Sequence, residues 1–229
     1  MNSPVVDPQP LSALLRSRTK EAHTAAERSG VMSSLLRGHV TRERYALLLR
    51  NLHPLYDALE RALDRVRDDP WLQPIHDPRL WRTAPLERDL VHLAGPAWAA
   101  LPVTATAAAY AQRIDGLRRD HPGQLVAHAY VRYLGDLNGG QILARVVRKA
   151  LGLADTQGTA FYEFEAIDDL RAVAVAWRSA LDQVPADDGA KERIADEALL
   201  GFEMHIRMFA EIDEIGRSTR LNSSHGYIS

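Results

Sequence analysis

The sequence has no cysteine. That absence excludes disulfides, thiolate nucleophiles, cysteine zinc sites and iron–sulfur clusters together. Any metal must be held by His, Asp, Glu, Tyr or Met. Only three of the 28 basic residues are lysine, Lys20, Lys149 and Lys191. Aromatic residues make up only 7% of the chain, and Val, Ile and Thr are sparse. No run of 18 apolar residues exists, so no membrane span is expected. Residues Met1 to Pro10 are polar and carry no apolar signal-peptide region. The formal net charge of -2 gives no global basic field, which argues against nucleic acid as a partner. These features predict a cytoplasmic protein with no membrane partner. What the chain does have is 229 residues, 46% of them hydrophobic and 25% charged. That suffices for one domain with a substantial core and excludes disorder for its bulk.

Long stretches carry Leu and Ala at helical spacing, which predicts an all-α fold. Helices are predicted over Ser12–Glu27, Met32–Leu36, from Thr41 to about Val66, Leu86–Leu93, Thr106–Arg119, Gln124–Leu151, Ile167–Gln183 and Gly189–Ile215. Thr41 is a good N-cap. Pro54 inside the third pattern should kink it. Four prolines between residues 70 and 85 predict an irregular connection. The long 124–151 pattern should be interrupted at Gly139-Gly140. Residues 152 to 166 read as a loop with a short extended piece at Phe161–Phe164. Residues 1 to 10 form a short N-terminal segment, and the polar tail from Gly216 to Ser229 is expected to be disordered.

Two constellations stand out. In the first helix Arg16, Lys20, His23 and Glu27 follow at i, i+4, i+7 and i+11 and share one face. Such a face is ordinarily solvated and nothing more. The alternative is a metal-ligating imidazole at His23, held on its other nitrogen by Glu27, with the two cations meeting an anionic group of a ligand. The second constellation is Tyr130-Val131-Arg132-Tyr133-Leu134-Gly135-Asp136-Leu137-Asn138-Gly139-Gly140-Gln141. Each glycine in a helix interior costs roughly 1 kcal/mol against alanine. Gly135 and Gly139, at i and i+4, clear one face so that a flat ligand can lie on the backbone. A glycine-packed helix crossing would explain them equally simply. A membrane dimer face is excluded by Arg132 and Asp136. An EF-hand is excluded by Val147 at the twelfth position. A phosphate loop is excluded because no Lys-Ser/Thr follows the glycines.

Taken together, the chain resembles the haem oxygenases of the biliverdin-forming, soluble bacterial type. The resemblance spans nearly all of residues 11 to 215. Its most specific part is the segment Tyr130–Gln141, similar to the family's distal-helix signature. Lys20–Glu27 is similar to the proximal-helix signature. Segments 86–90, 124–129 and 161–164 also fall where similar segments fall in the family.

The resemblance implies a single all-α domain that sandwiches haem b between two helices, with the haem iron ligated by His23. Glu27 is implied as the partner of His23. Arg16, Lys20, Tyr130 and Arg178 are implied at the propionate edge. Gly135, Gly139 and Gly140 are implied against the haem plane, with Phe202, His205 and Phe209 along the wall. Asp136 is the implied catalytic carboxylate, acting through a water that donates a proton to bound O2. Arg132 would orient it, and Tyr56, Tyr110 and Tyr133 would complete the distal network. The implied reaction is O2- and electron-dependent cleavage of the haem meso bridge, at the α position, to biliverdin, CO and ferrous iron. Electrons would come from a ferredoxin or a flavoprotein reductase, and a monomer is expected. Two positions depart from the family pattern. His205 stands where an asparagine amide is expected, as a network member or a core residue. Ala174 stands where a cation is expected one turn before Arg178. These departures leave a non-catalytic haem carrier or sensor of the same fold as the alternative, and an unrelated all-α protein with packing glycines as a third reading.

Overall fold

The computed structural model describes residues 9–117 and 121–225, with side chains described as far as Arg217. Among these residues nine α-helices run in chain order and no strand occurs. They are α1 (Leu11–Glu27), α2 (Gly30–Leu36), α3 (Arg42–Arg65), α4 (Thr83–Ala94), α5 (Ala105–Gly116), α6 (Pro122–Ala129), α7 (Gly135–Leu151), α8 (Leu170–Leu181) and α9 (Asp188–His225). Side-chain caps start four of them. Thr41 Oγ1 accepts from the Arg44 amide, Thr104 Oγ1 from Ala107, Asp169 Oδ1 from Ala172 and Asp187 Oδ1 from Ala190. Each satisfies an amide that the first turn leaves unpaired.

The core is one continuous apolar cluster. The helix α9 is its spine and packs on α1, α2, α3, α5 and α6. Its buried side chains include Ile194, Ala198, Phe202, Met208, Phe209 and Ile212, while Leu11, Leu14 and Leu15 of α1 are also buried. At 38 residues α9 is about 57 Å long. The helix continues past Ile215 to His225, so residues 216–225 are helical rather than disordered. The end of the tail and residues 1–8 lie outside the described residues.

Three other expectations are corrected. The break in the 124–151 pattern falls earlier than Gly139-Gly140. A π-helical turn over Tyr130–Leu134 joins α6 to α7, and α7 runs unbroken through both glycines. A π turn inserts one residue per turn and rotates the faces on either side of it, which glycine content alone does not signal. Phe161 and Tyr162 are not extended, because Ala160–Tyr162 forms a 3₁₀ turn, and within Phe161–Phe164 the extended backbone begins only at Glu163. It is held by Asp89, whose carboxylate accepts from the amides of Ala160 and Phe161 at 2.8 Å each. Finally α4 begins at Thr83, not Leu86, with Pro85 in its first turn where no amide is needed. The carboxylate of Glu60 accepts from the amides of Arg82 and Thr83 and so covers this helix start. The helix α3 runs through Pro54 without ending.

One contact couples α2 to α9 very tightly. Gly30 has φ +42°, and a Cβ there would lie 2.0 Å from the Phe209 carbonyl oxygen. Both the dihedral and the clash reject a side chain. A Gly30→Ala variant should therefore lose roughly 3 kcal/mol of stability. Urea unfolding checks this, and a loss under about 0.5 kcal/mol, the size of an ordinary surface change, would contradict the packing.

Candidate active site

The site forms where α3, the π turn, α7 and α9 meet. Its centre is the guanidinium of Arg132. Arg132 Nε and Nη2 donate to the Tyr56 hydroxyl at 2.9 and 2.6 Å. Nη2 also reaches Asp136 Oδ1 at 3.1 Å, an i,i+4 pair across the end of the π turn. Nη1 points to His205 Nε2 at 3.1 Å. The Tyr56 hydroxyl in turn donates to Asp136 Oδ2. Asp136 thus accepts on both oxygens while only 7% exposed.

The direction of every bond in this group follows from donor chemistry. Arginine has no acceptor. His205 Nε2 must therefore present its lone pair, and the proton sits on Nδ1, which donates to the Gly201 carbonyl at 2.8 Å. A protonated His205 would have to place an N–H against an Arg132 N–H. Burial first, and then the Arg132 charge, accordingly push His205 down to about 3. Burial raises Asp136, against the pull of Arg132 and the Tyr56 hydroxyl. Burial pushes Tyr56 well above the usual phenol range, so it stays a donor.

A second buried chain runs behind the first. The Tyr110 hydroxyl meets His128 Nδ1 at 3.1 Å, and His128 Nε2 meets Glu197 Oε1 at 2.9 Å. Glu197 is paired bidentately with Arg113, at 2.6 and 2.5 Å. Burial pushes Glu197 up, but the bonds from Arg113 and His128 outweigh it and hold the carboxyl down to about 2. The two chains touch through rings, with Tyr110 edge-on to His205 at 5.2 Å. Gly201 makes this approach possible, since a Cβ there would lie 2.9 Å from the Tyr110 hydroxyl.

The expected residues sort clearly. Tyr56, Arg132, Asp136 and His205 come together as one hydrogen-bonded group. Tyr110 makes no hydrogen bond to Asp136 or Arg132 and belongs to the second chain. The Tyr133 hydroxyl, buried, has no hydrogen-bond partner in the described structure, and its ring packs 6.3 Å from Tyr56. Tyr133 is therefore a wall residue here and not a bonded member. Gly140 is buried against Tyr162, 3.4 Å from where its Cβ would be, so it serves packing. Gly135 and Gly139 behave differently, because a Cβ on either would meet nothing within 4 Å. Together they leave one face of α7 as bare backbone beside Asp136.

On α1, His23 is 52% exposed, with Nδ1 3.8 Å from Glu27 Oε1, an ion-pair distance rather than a hydrogen bond. Phe202 of α9 backs its ring, edge to face at 5.8 Å. Phe209 lies deeper, against His205 at 5.8 Å. Thr19, one turn before His23, meets the Tyr130 hydroxyl at 3.0 Å and ties α1 to the π turn. Arg16 and Arg178 both lie close enough to Tyr130 to lower its pKa against the upward push of burial. Arg16, Lys20 and Arg178 have no ion pair among the described residues. Ala174 is buried and brings no charge to this edge.

Sequence reasoning missed His128, Glu197 and Arg113 as a unit, and Phe161, which packs edge-on to Tyr56 at 5.4 Å. A signal for part of it exists in the four-residue spacing of Glu197, Gly201 and His205. The depressed His205 also sets a pH dependence. The unfolded chain takes a proton near 6.5 and the folded one only near 3, so this contribution is complete above 6.5 and is lost as pH falls toward 3. The stability difference between wild type and His205→Asn should shrink by about 1.4 kcal/mol per pH unit below 6.5. Urea unfolding at pH 7, 6 and 5 checks this, and a constant difference would contradict the assigned tautomer.

Comparison with known proteins is consistent across sequence and structure. The family model for heme oxygenase matches residues 9–211. The chain is 40% identical over 204 residues to heme oxygenase 1 of Synechocystis sp., covering 89% of this chain and 85% of that protein. It is 37% identical over 211 residues to human heme oxygenase 1, covering 91% and 73%. The crystal structure of the Synechocystis heme oxygenase-1 in complex with heme superposes with a TM-score of 0.88, at 37% identity over 96% of this chain and all of that one. The heme oxygenase from Leptospira interrogans gives 0.84, at 35% identity over 89% of this chain and all of that one. This chain belongs to the haem oxygenase family.

Proposed function

We propose that this chain binds haem b through His23 and cleaves it at the α-meso bridge, releasing biliverdin, CO and ferrous iron. The observation that carries this reading is the pairing of two features. One is an accessible imidazole on α1. The other is a buried carboxylate, fixed on both oxygens, beside the bare backbone of Gly135 and Gly139.

The residues present fit the group. A flat macrocycle needs a helix face without side chains, and Gly135 and Gly139 provide one. Two propionates need cations that are not already paired, and Arg16 and Arg178 meet that need beside Tyr130, with Lys20 one turn further along α1. With Ala174 uncharged, Arg16 and Arg178 are the cations beside Tyr130 that would hold the propionates. His23 would be the side chain that holds the haem iron. Bound haem supplies the iron that takes up O2 and the meso carbon that is oxygenated.

The chain's own groups govern the proton. Asp136 accepts from Tyr56 and Arg132, so its carboxyl is held in a fixed direction and orients a water toward the cleared face. Arg132 keeps its proton and so acts as a fixed charge. Tyr56 is pinned by Arg132 and Asp136 and adds a third fixed dipole. Phe202 packs edge-on against one side of the His23 imidazole and so limits the ring's orientations. The electrons come from a separate donor, a ferredoxin or a flavoprotein reductase. The reading includes a monomer working in the cytoplasm. No helix among the described residues is long and apolar enough to cross a membrane.

The test is a visible-absorption time course of the protein with one equivalent of haem, ferredoxin, its reductase, NADPH and catalase in air. Wild type should lose its Soret band as a red-absorbing bilin appears. A Soret band that only shifts would favour a haem carrier instead. His23→Ala should fail to give a haem complex at micromolar concentrations. Asp136→Ala should still bind haem and degrade it about 100-fold more slowly. Turnover of Asp136→Ala at the wild-type rate would overturn the mechanism. Chromatography of the bilin checks the α position.

A further inference from the structure

We propose that His205 is a positioning residue that fixes Arg132, and through it Asp136, by acting as an obligate hydrogen-bond acceptor. The inference deepens the proposed haem-cleaving reading and rests on it. Three partners divide the Arg132 donors. Tyr56 takes Nε and Nη2, Asp136 takes Nη2, and His205 takes Nη1. The first two partners both lie on the Asp136 side. The third is the one partner of Nη1 in the described structure, so it fixes the end of the guanidinium that Tyr56 and Asp136 leave open.

The acceptor at position 205 is itself locked from behind. The Nδ1–H donates to the Gly201 carbonyl, four residues earlier on α9, so the ring has one tautomer and one orientation. Its faces are filled by Tyr110, edge-on at 5.2 Å, and Phe209 at 5.8 Å. The charged and titratable groups around it are Arg132 from the π turn, His128 from α6 and Tyr110 from α5. None offers His205 a second donor at Nε2. Arg132 lies between His205 and Asp136 and does not give up its proton. No proton therefore passes from His205 to Asp136, and the role of His205 is geometric.

The consequence is a network that divides at Arg132. Nη1 donates toward His205 and α9, while Nη2 and the Tyr56 hydroxyl donate to the Asp136 carboxylate. An aliphatic side chain at 205 strands one N–H of a buried cation, and the guanidinium swings to recover a partner. An asparagine can turn its amide oxygen toward Arg132 and keep the acceptor.

The experiment compares wild type, His205→Leu and His205→Asn, each loaded with ferric haem. The readout is the pH midpoint at which the iron-bound water ionises, followed by visible absorption, together with kcat and KM for haem degradation. His205→Leu should bind haem within about twofold of wild type. Its midpoint should move by about half a pH unit or more and its kcat fall about tenfold with KM little changed. His205→Asn should recover most of both. A lowered Tm in His205→Leu with unchanged midpoint and kcat would assign His205 to packing alone and overturn the proposal. Equal defects in both variants would overturn it as well, because the acceptor would then not be what matters. If wild type itself fails to degrade haem while still showing the midpoint shift among variants, the positioning role stands and the haem-cleaving reading falls.

Discussion

The site depends on one buried cation. Arg132 is placed by the π turn, satisfied by Tyr56, Asp136 and His205, and kept charged against the cost of its burial by Tyr56 and Asp136. A guanidinium in a dry interior is stable only when its donors are matched, because an unpaired one forfeits its hydration with nothing in return. The requirement runs outward. Tyr56 must be held, and Phe161 packs edge-on against its ring. Phe161 must be held in turn, and Asp89 grips its amide. His205 must keep one tautomer, and the α9 backbone supplies its acceptor. The second chain of Tyr110, His128, Glu197 and Arg113 closes the back of the pocket and ends in an ion pair that reaches solvent.

This layering explains how the site combines rigidity with openness. The carboxylate side is tightly held, with both Asp136 oxygens and all three Arg132 nitrogens hydrogen-bonded. The opposite side is deliberately bare, with two glycines lacking any neighbour where a side chain would be and an imidazole half in solvent. The balance of buried ionisable groups follows the same logic. Burial raises Asp89 to about 6 and Glu60 to about 7, and both carboxylates serve backbone amides rather than cations at their shortest contacts. Glu197, which does face a cation, is held down near 2.

Much of this was legible in the chain itself. The helical periodicity gave the order of the main helices, and Thr41 marked a helix start that the structure retains. The i,i+4 spacing of Arg132 and Asp136 brought those two together, as the structure does. What was not legible depends on contacts between distant elements. The π turn arises from how α6 and α7 must face different neighbours, and no local residue pattern encodes it. Gly140 looks like Gly139 in sequence, yet Tyr162, which packs from the 3₁₀ turn, makes it a packing glycine. Tyr133 and Tyr110 are the right residue type near the right helix, but their hydroxyls end up outside the Asp136 group. The role of His205 could not be decided from α9 alone, since its acceptor function is set by an arginine 73 residues earlier. The polar tail shows the opposite failure. Its composition argued against order, while the described backbone continues α9 to His225.

The central claim is that Arg132 acts only through the groups it holds, above all Asp136. A double-mutant cycle on haem turnover tests it most directly, with Arg132→Met, Asp136→Ala and the pair together. If the arginine works by orienting the carboxylate, the double variant should be no more than about threefold slower than Asp136→Ala alone. If the two losses multiply, Arg132 acts independently of Asp136 and the account of the site is wrong.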